Sequence, residues 1–403
     1  MPLKGNLLVG QSGGPTAVIN SSLVGVIEEA LKHPEIEAIY GCVHGVQGLL
    51  REEIVDLRKE KPGTLKRLKT TPSAALGSCR YKLKADDPER LLQVLQAHNI
   101  RYFLYIGGND SAETGHLVGD LAHEKGYELR VMGVPKTVDN DLEYTDHCPG
   151  YGSVARFIAA AAMDAGKDSE AIGVVDNVKI IETMGRNAGW ITAAAALGKR
   201  EERDAPHLIC LPEVPFEPDR FLSAVQNAYD RLGYCVVSAC EGLRDAEGKE
   251  VVASKRAIDT DAFGHRQLGG VGDFLCDLIA TNLKIKARYD KPGTIQRMSS
   301  ALASKVDLEE AYLVGKAAVR SAVQGVDGQM VTLVRESADP YRCTTGLAPL
   351  EKVAAAEKKL PPDFISPDGT FVTQAFLDYA RPLVGGLPKY ARLEMHPIEK
   401  KLS

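Results

Sequence analysis

The 403-residue chain has little of what would mark a secreted, membrane or nucleic-acid-binding protein. None of its eight cysteines, Cys42, Cys79, Cys148, Cys210, Cys235, Cys240, Cys276 and Cys343, belongs to a C-x-x-C pair. Several lie in apolar runs, as Cys210 does within Leu208–Leu211, so buried reduced thiols are expected rather than disulfides or zinc ligands. No Lys/Arg block is long enough to follow a phosphodiester backbone, and the net charge is −5, which argues against DNA or RNA as a partner. Apolar runs are short, Phe157–Met163 being the nearest to a membrane span, so no membrane association is expected. The first residues enter a strand almost at once, and no signal peptide is read there. A cytoplasmic location follows as the expectation. Low-complexity stretches and short fixed-period repeats are missing, and there is a single tryptophan, Trp190.

What remains is an ordinary globular composition, 44% hydrophobic and 26% charged. The length is enough for two or three cores sharing a cleft. Strand-like and helix-like segments alternate over the first 245 residues or so. Asn6–Val9, Ala38–Tyr40, Arg101–Ile106, Leu129–Val134, Ala171–Val175, Val178–Ile181, His207–Leu211 and Cys235–Ala239 read as extended. Ala17–Leu31, Pro88–His98, Ala112–Lys125, Ser153–Ala165, Ala188–Leu197 and Phe221–Leu232 read as helices. This alternation predicts an α/β fold of mostly parallel sheets flanked by helices, with ligands at the carboxyl ends of the strands. Turn residues at Cys148–Gly152 mark a lobe boundary, and Gly242–Asp261 reads as a polar loop. Later, Leu308–Gln324 reads as a helix and Gln329–Val334 as a strand returning to the first lobe. From Leu360 onward, proline and charge predict an extension wrapped over the surface.

Four turns at strand ends carry candidate chemistry. Gly10-Gln11-Ser12-Gly13-Gly14-Pro15-Thr16 joins a strand to a helix, where glycines let backbone N–H groups approach an anion. Its ending is not that of a Walker A loop and its spacing is not the dinucleotide fingerprint, so a plain βα turn is the alternative. Gly107-Gly108-Asn109-Asp110-Ser111 follows the next strand, with an Asx-capped turn as the alternative. Pro135-Lys136-Thr137-Val138-Asp139-Asn140-Asp141 is the most specific. Its two aspartates are two apart and point the same way if the stretch is extended, and Lys136 adds a cation for phosphate oxygens. Met184-Gly185-Arg186 offers a guanidinium for a phosphate, while the nearby Trp190 reads as a core anchor. Glu241-Gly242 offers a carboxylate to sugar hydroxyls. Arg288-Tyr289-Asp290-Lys291 and the following residues to Arg297 gather three cations around a turn.

In this order, and together with Tyr40-Gly41, Gly77-Ser78-Cys79-Arg80, Pro212-Glu213 and Gly293–Arg297, these segments resemble the phosphofructokinase family over residues 5–335. A double-glycine acid turn alone also suits NAD kinases and lipid kinases; the Pro135–Asp141 run with Met184–Arg186 is what makes the resemblance specific. The resemblance implies two lobes, 1–148 plus about 298–350 for the phosphoryl donor and 149–297 for fructose 6-phosphate, with the site between them and 351–403 as an extension. It implies phosphorylation of the C1 hydroxyl with Mg2+, in glycolysis or gluconeogenesis, by a homodimer or homotetramer. Asp139 matches the catalytic base, with Lys136 and Arg186 as further catalytic positions. Gly13, Gly14, Tyr40, Arg80, Gly108, Asn109, Asp110, Ser111 and Lys136 match the donor side. Thr137, Asp139, Asp141, Met184, Gly185, Arg186, Glu241, Arg288, Tyr289, Lys291 and Arg297 match the sugar-phosphate side.

Donor identity is read from two positions. ATP-using members have glycine where this chain has Asp110 and Lys136; members using pyrophosphate have Asp and Lys. An aspartate there fills and charges the path of a nucleotide α-phosphate, and the lysine supplies a cation to a shorter donor. The resemblance therefore implies pyrophosphate as donor and a reversible reaction. The alternatives are an ATP-dependent enzyme and a catalytically silent sugar-phosphate-binding subunit. Asn109 stands where the family has an Mg2+-linked aspartate, so metal binding is expected to rest on Asp110 or on water around Asp139. Asn177 and Thr294 stand where many bacterial ATP-using members have an arginine and a histidine.

Overall fold

The computed structural model describes residues 3–172, 175, 177–252 and 270–401. Its strands are β1 (Gly5–Gln11), β2 (Ile36–Cys42), β3 (Ile54–Asp56), β4 (Ile100–Gly107), β5 (Arg130–Pro135), β6 (Val178–Thr183), β7 (Leu208–Cys210), β8 (Cys235–Cys240), β9 (Ala287–Asp290), β10 (Gln329–Ala338) and β11 (Tyr341–Pro349). A seven-stranded sheet has the order β11-β10-β5-β4-β1-β2-β3. It is parallel except at its two edge pairings, β2 with β3 and β10 with β11. A four-stranded parallel sheet has the order β7-β8-β6-β9. Helices flank both.

The central strands are apolar on both faces, as a covered parallel sheet requires. Leu7 and Val9 of β1 point toward helices Ile19–Ala30 and Lys305–Val323. Leu8 and Phe103 point the other way, toward Leu91, Leu95 and Val118 of helices Asp87–Ala97 and Asn109–Glu124. Register aligns the strand ends that matter. Gln11 pairs with Ile106, and Gly107 with Pro135, so the turns after β1, β4 and β5 lie side by side. In the second sheet Thr183 pairs with Cys240, which brings the turn after β6 beside the turn after β8. Helix Tyr151–Ile172 starts under both carboxylate oxygens of Asp307, which accept from the Gly150 and Ser153 N–H groups at 2.8 Å each.

Several expectations change. Helix Tyr151–Ile172 runs through Ala171 and Ile172, which were read as extended; the remainder of that segment is a turn at Val175 and residues outside those described. The added residues Gly166–Ile172 are mostly polar, with good helix formers in Lys167, Glu170 and Ala171, so the helix continues past the end of its apolar periodicity. The polar loop Gly242–Asp261 is described only to residue 252. β10 continues to Ala338 and pairs antiparallel with β11, a partner not foreseen because its outer half alternates between exposed and half-buried residues. The C-terminal part is not merely a surface wrap. Leu360 and Phe376, Ala380, Leu383 and Val384 of helix Gln374–Val384 are buried in the core around Trp190. The cysteines are free thiols, five buried and three half-buried. No described helix is long and apolar enough to cross a membrane.

Candidate active site

The turns after β1, β4 and β5 form one wall of the site. Lys136 follows β5; its N–H donates to the Gly107 carbonyl at 3.0 Å, and its side chain is only 3% exposed. The ammonium donates to the Gly14 carbonyl at 3.0 Å. A Cβ on Gly13 would sit 2.9 Å from Lys136 Nζ, and one on Gly14 would sit 2.6 Å from Arg297 Nη1. Glycine at these two positions thus admits two cations. The expected role, a free N–H for an anion, does not hold at Gly13, whose N–H already donates to the Cys79 carbonyl at 3.1 Å. The same tie places Gly77–Arg80 over this loop. Burial, with Arg297 and Arg80 nearby, lowers the Lys136 ammonium to about 8, against the pull of Asp139 and Asp141.

Asp110 lies in the first turn of helix Asn109–Glu124, where the helix N-terminus favours a carboxylate. Gly108 is the N-cap, and Gly107 has no room for a side chain, since its Cβ would lie 1.9 Å from Ser111 Oγ. Asn109 does not cap the helix; its amide donates to the Ala356 carbonyl at 2.7 Å.

The run Thr137–Asp141 is a bend rather than an extended stretch, because Asn140 has φ +55°. Its side chain holds that conformation by accepting from the Cys148 N–H at 2.9 Å and donating to Tyr379 Oη at 2.9 Å. Asp139 and Asp141, both half-buried, nevertheless share one environment. Burial pushes the Asp139 carboxyl up against Arg186, Arg297 and Lys136, and Glu357 adds to the rise. Burial and the neighbouring Asp139 push Asp141 up to about 7, against a hydrogen bond with Thr137. Asp141 Oδ1 is buried without a hydrogen-bond partner, and so is Arg297 Nε. Such atoms call for a ligand, an ion or water.

The second sheet supplies the opposite wall. Gly185 (φ +140°) and Arg186 (φ +43°) turn sharply after β6. A Cβ on Gly242 would lie 1.7 Å from the Arg186 carbonyl oxygen, so the turns after β6 and β8 fit together only with glycine there. Glu241 is pushed up to about 7 by burial and by Asp139, with Lys291 and Arg186 opposing. The Met184 N–H donates to Gln296 Oε1 at 3.3 Å, and the Ala17 N–H to the Arg297 carbonyl at 2.9 Å. The 293–297 turn therefore clips one wall to the other.

Lys136, Asp139, Asp141, Arg186, Glu241 and Arg297 thus converge electrostatically, with Arg80 at the edge. Lys291 acts on Glu241 and also pairs with Glu182, its ammonium 2.8 Å from Glu182 Oε1. Arg288 and Tyr289 lie on edge strand β9, both exposed, and the Tyr289 ring covers Gly272. Glu357, Lys358 and Glu213 were not picked out as site residues. The Lys358 N–H donates to the Asp141 carbonyl at 2.7 Å, and Glu213 Oε1 accepts from Gly189 and Leu360 N–H groups at 2.8 and 3.0 Å. Glu213 belongs to the Pro212-Glu213 pair of the resemblance but was given no role, and no local pattern marks Glu357 or Lys358, whose partners are far away in sequence.

A half-buried carboxylate pair facing a lysine and two arginines, between two mostly parallel sheets, is equipped for phosphoryl transfer: cations for the phosphates, a base for the acceptor. Comparison with known proteins defines the class. A sequence model described as phosphofructokinase matches residues 6–322, and the chain belongs to that family. More particularly, it is 45% identical to the pyrophosphate–fructose 6-phosphate 1-phosphotransferase of Xanthomonas campestris pv. campestris, over 99% of this chain and 98% of the relative. Crystal structures of pyrophosphate-dependent phosphofructokinases from Marinobacter aquaeolei and Nitrosospira multiformis superpose with TM-scores of 0.86 each. They are 41% and 39% identical, and the matches cover 99% of this chain and 98% of each of theirs.

Proposed function

We propose that the protein transfers a phosphoryl group from pyrophosphate to the C1 hydroxyl of fructose 6-phosphate, reversibly, giving fructose 1,6-bisphosphate and phosphate. The observation that carries the donor assignment is Lys136, a buried ammonium pressed against the Gly13-Gly14 loop beside Asp139. The full-length relatives named for pyrophosphate support it. Residues 1–148 with about 298–350 form the donor lobe in this reading, and 149–297 the sugar lobe.

Asp139 accepts the C1 hydroxyl proton as that oxygen attacks the nearer phosphorus. The P–O bond to the other phosphate breaks, and phosphate leaves. The raised proton affinity of Asp139 makes it a better base than an exposed aspartate. Lys136 and Arg80, with the Gly13-Gly14 and Gly108–Ser111 turns, hold the donor. Arg297, adjoining both Gly14 and Asp139, faces the group in transit. Met184, Gly185, Arg186 and Glu241 hold the sugar phosphate, with Thr137, Asp141, Arg288, Tyr289 and Lys291 around them. Mg2+ fits the oxygen set here, since Asp141 Oδ1 lacks a partner and Asp110 lies at the donor turn. Asp110 would hold the ion, with Asp141 through water, and bound Mg2+ would neutralise charge on the pyrophosphate. The site acts in a cytoplasmic homo-oligomer in this reading.

A coupled assay at fixed Mg2+ tests the proposal. Turnover with pyrophosphate and little with ATP is expected. Turnover with ATP and none with pyrophosphate refutes the donor assignment, and sugar binding without turnover on either donor refutes catalysis.

A further inference from the structure

Away from the catalytic groups, one cluster of side chains has no part in the reaction above. His147, Glu310 and Cys343 come from three separate elements: the loop that runs on from Asp141, helix Lys305–Val323, and strand β11. Their ligating atoms all lie within 4.8 Å of one another. His147 and Glu310 are buried, and Cys343 is a half-buried free thiol. His147 Nε2 is 2.6 Å from Glu310 Oε2. The other ring nitrogen, Nδ1, is 2.7 Å from Asp146 Oδ1, and that oxygen also accepts from Arg335 Nε at 3.1 Å and Nη2 at 2.9 Å. Tyr341 Oη donates to Glu310 Oε1 at 2.5 Å and lies 3.4 Å from His147 Nε2. Zinc ligands were not expected of the cysteines, since residues 147, 310 and 343 share no local spacing pattern.

We propose that His147, Glu310 and Cys343 form a binding site for Zn2+, separate from the Mg2+ site of the cleft. The donor set is the first reason. One imidazole nitrogen, one carboxylate oxygen and one thiolate suit Zn2+, whereas Mg2+ takes oxygen ligands in an octahedron. The second reason is the support behind the ligands. A histidine that ligates through Nε2 gives its other N–H to a carboxylate or carbonyl, and Asp146, itself fixed by Arg335, already stands there. Glu310 is held in the same way, with Tyr341 on Oε1 and with Oε2 turned to the imidazole. The ion takes the place of the proton between His147 Nε2 and Glu310 and of the Cys343 thiol proton, and both protons go to solvent. A tetrahedral zinc spaces its ligand atoms about 3.3–3.8 Å apart, so the histidine–glutamate pair opens and the sulfur closes by about 1 Å or less. Water takes the fourth position, on the side where Tyr341 and Cys343 are half-buried. Bound there, the ion ties the loop that carries Asp139 and Asp141 to helix Lys305–Val323 and to the β10–β11 hairpin.

The test is a metal titration of the full-length protein, stripped with a chelator and kept in excess Mg2+ so that sites of oxygen ligands are filled. Co2+ is the optical probe, because a cysteine thiolate bound to it gives a near-ultraviolet charge-transfer band that oxygen ligands do not. The wild type should show the band, saturating at a single Co2+ per chain, and Zn2+ should displace it. Cys343→Ser should lose the band and bind Zn2+ at least about tenfold more weakly, read by competition with a chromophoric chelator; tenfold is the smaller loss seen when only an outer partner of a ligand is removed. His147→Gln should bind no better than Cys343→Ser, with its fold checked by circular dichroism. If the buried histidine proves necessary for folding, Cys343→Ser alone decides. No band in the wild type would mean that protons alone join the cluster, and would overturn the proposal. A band of equal strength in Cys343→Ser would put the ion on another thiol and overturn it too. Neither result touches the donor assignment, which the coupled assay tests without zinc.

Discussion

Replacing Lys136 with methionine keeps the length and apolar stem of the side chain but deletes its charge. The wild-type ammonium is buried, donates at 3.0 Å to Gly14, and titrates near 8. A charged hydrogen bond of this kind contributes about 1.5–3 kcal/mol, so kcat/KM for pyrophosphate should fall roughly 10- to 150-fold at pH 7. The pH dependence is the sharper signature. With a pKa of about 8, roughly 90% of free wild-type enzyme carries the charge at pH 7 and roughly 10% at pH 9. Wild-type kcat/KM should therefore lose nearly tenfold across that interval, as the cationic form disappears on raising the pH. kcat should hold to higher pH, because bound pyrophosphate keeps the lysine charged. K136M should lack the alkaline limb. Its acid limb should move to higher pH, since Asp139 loses a cation that favours its ionised form. An initial-rate series with pyrophosphate varied at saturating sugar phosphate, from pH 5.5 to 9.5, reads all of this. An unchanged alkaline limb in K136M, or a loss under about threefold at pH 7, would refute the assignment of Lys136 to the donor.

Asp139→Ala should cost about three orders of magnitude or more in kcat while sparing sugar-phosphate binding by calorimetry, and a loss under about tenfold would mean another base. Asp110→Gly combined with Lys136→Gly should raise ATP use relative to pyrophosphate; an unchanged donor ratio would remove the steric and charge account of both residues. Gly242→Ala would force a Cβ to within 1.7 Å of the Arg186 carbonyl oxygen, so KM for fructose 6-phosphate should rise at least about tenfold with folding cooperativity retained. Unchanged KM would show that the Arg186 turn has more room than its glycine contact implies.

The parallel strands were legible because β1, β4, β5 and β8 are apolar on both faces and end in turn residues, so composition and position agree. The candidate site residues behind β5 and β6 could be picked out in the same way: lysine, aspartate and arginine in a turn directly behind a buried strand have few other uses. The geometry joining them was not. Two aspartates at spacing two read as parallel side chains until Asn140 is seen at φ +55°, a conformation set by Tyr379 far along the chain. The Gly13 N–H read as open to an anion but is taken by the Cys79 carbonyl, and the missing side chains at Gly13 and Gly14 make room for Lys136 and Arg297, which no local pattern shows. The segment 356–360 gave no signal, since its bonds to Asn109 and Asp141 link residues more than 200 positions apart. Helix Gln374–Val384 was hidden by Pro382 and by the polar segments around it.

The segment that ties the site together lies after all of the signature turns in the sequence. A ribosome that has synthesised every residue through Pro349 has released all four signature turns, yet not the segment that ties them together or the helix that lines Trp190. A nascent chain of that length would have the chemistry written in it and no means of carrying it out. A chain that stops at Pro349 should therefore lack activity even though every signature turn is present in it.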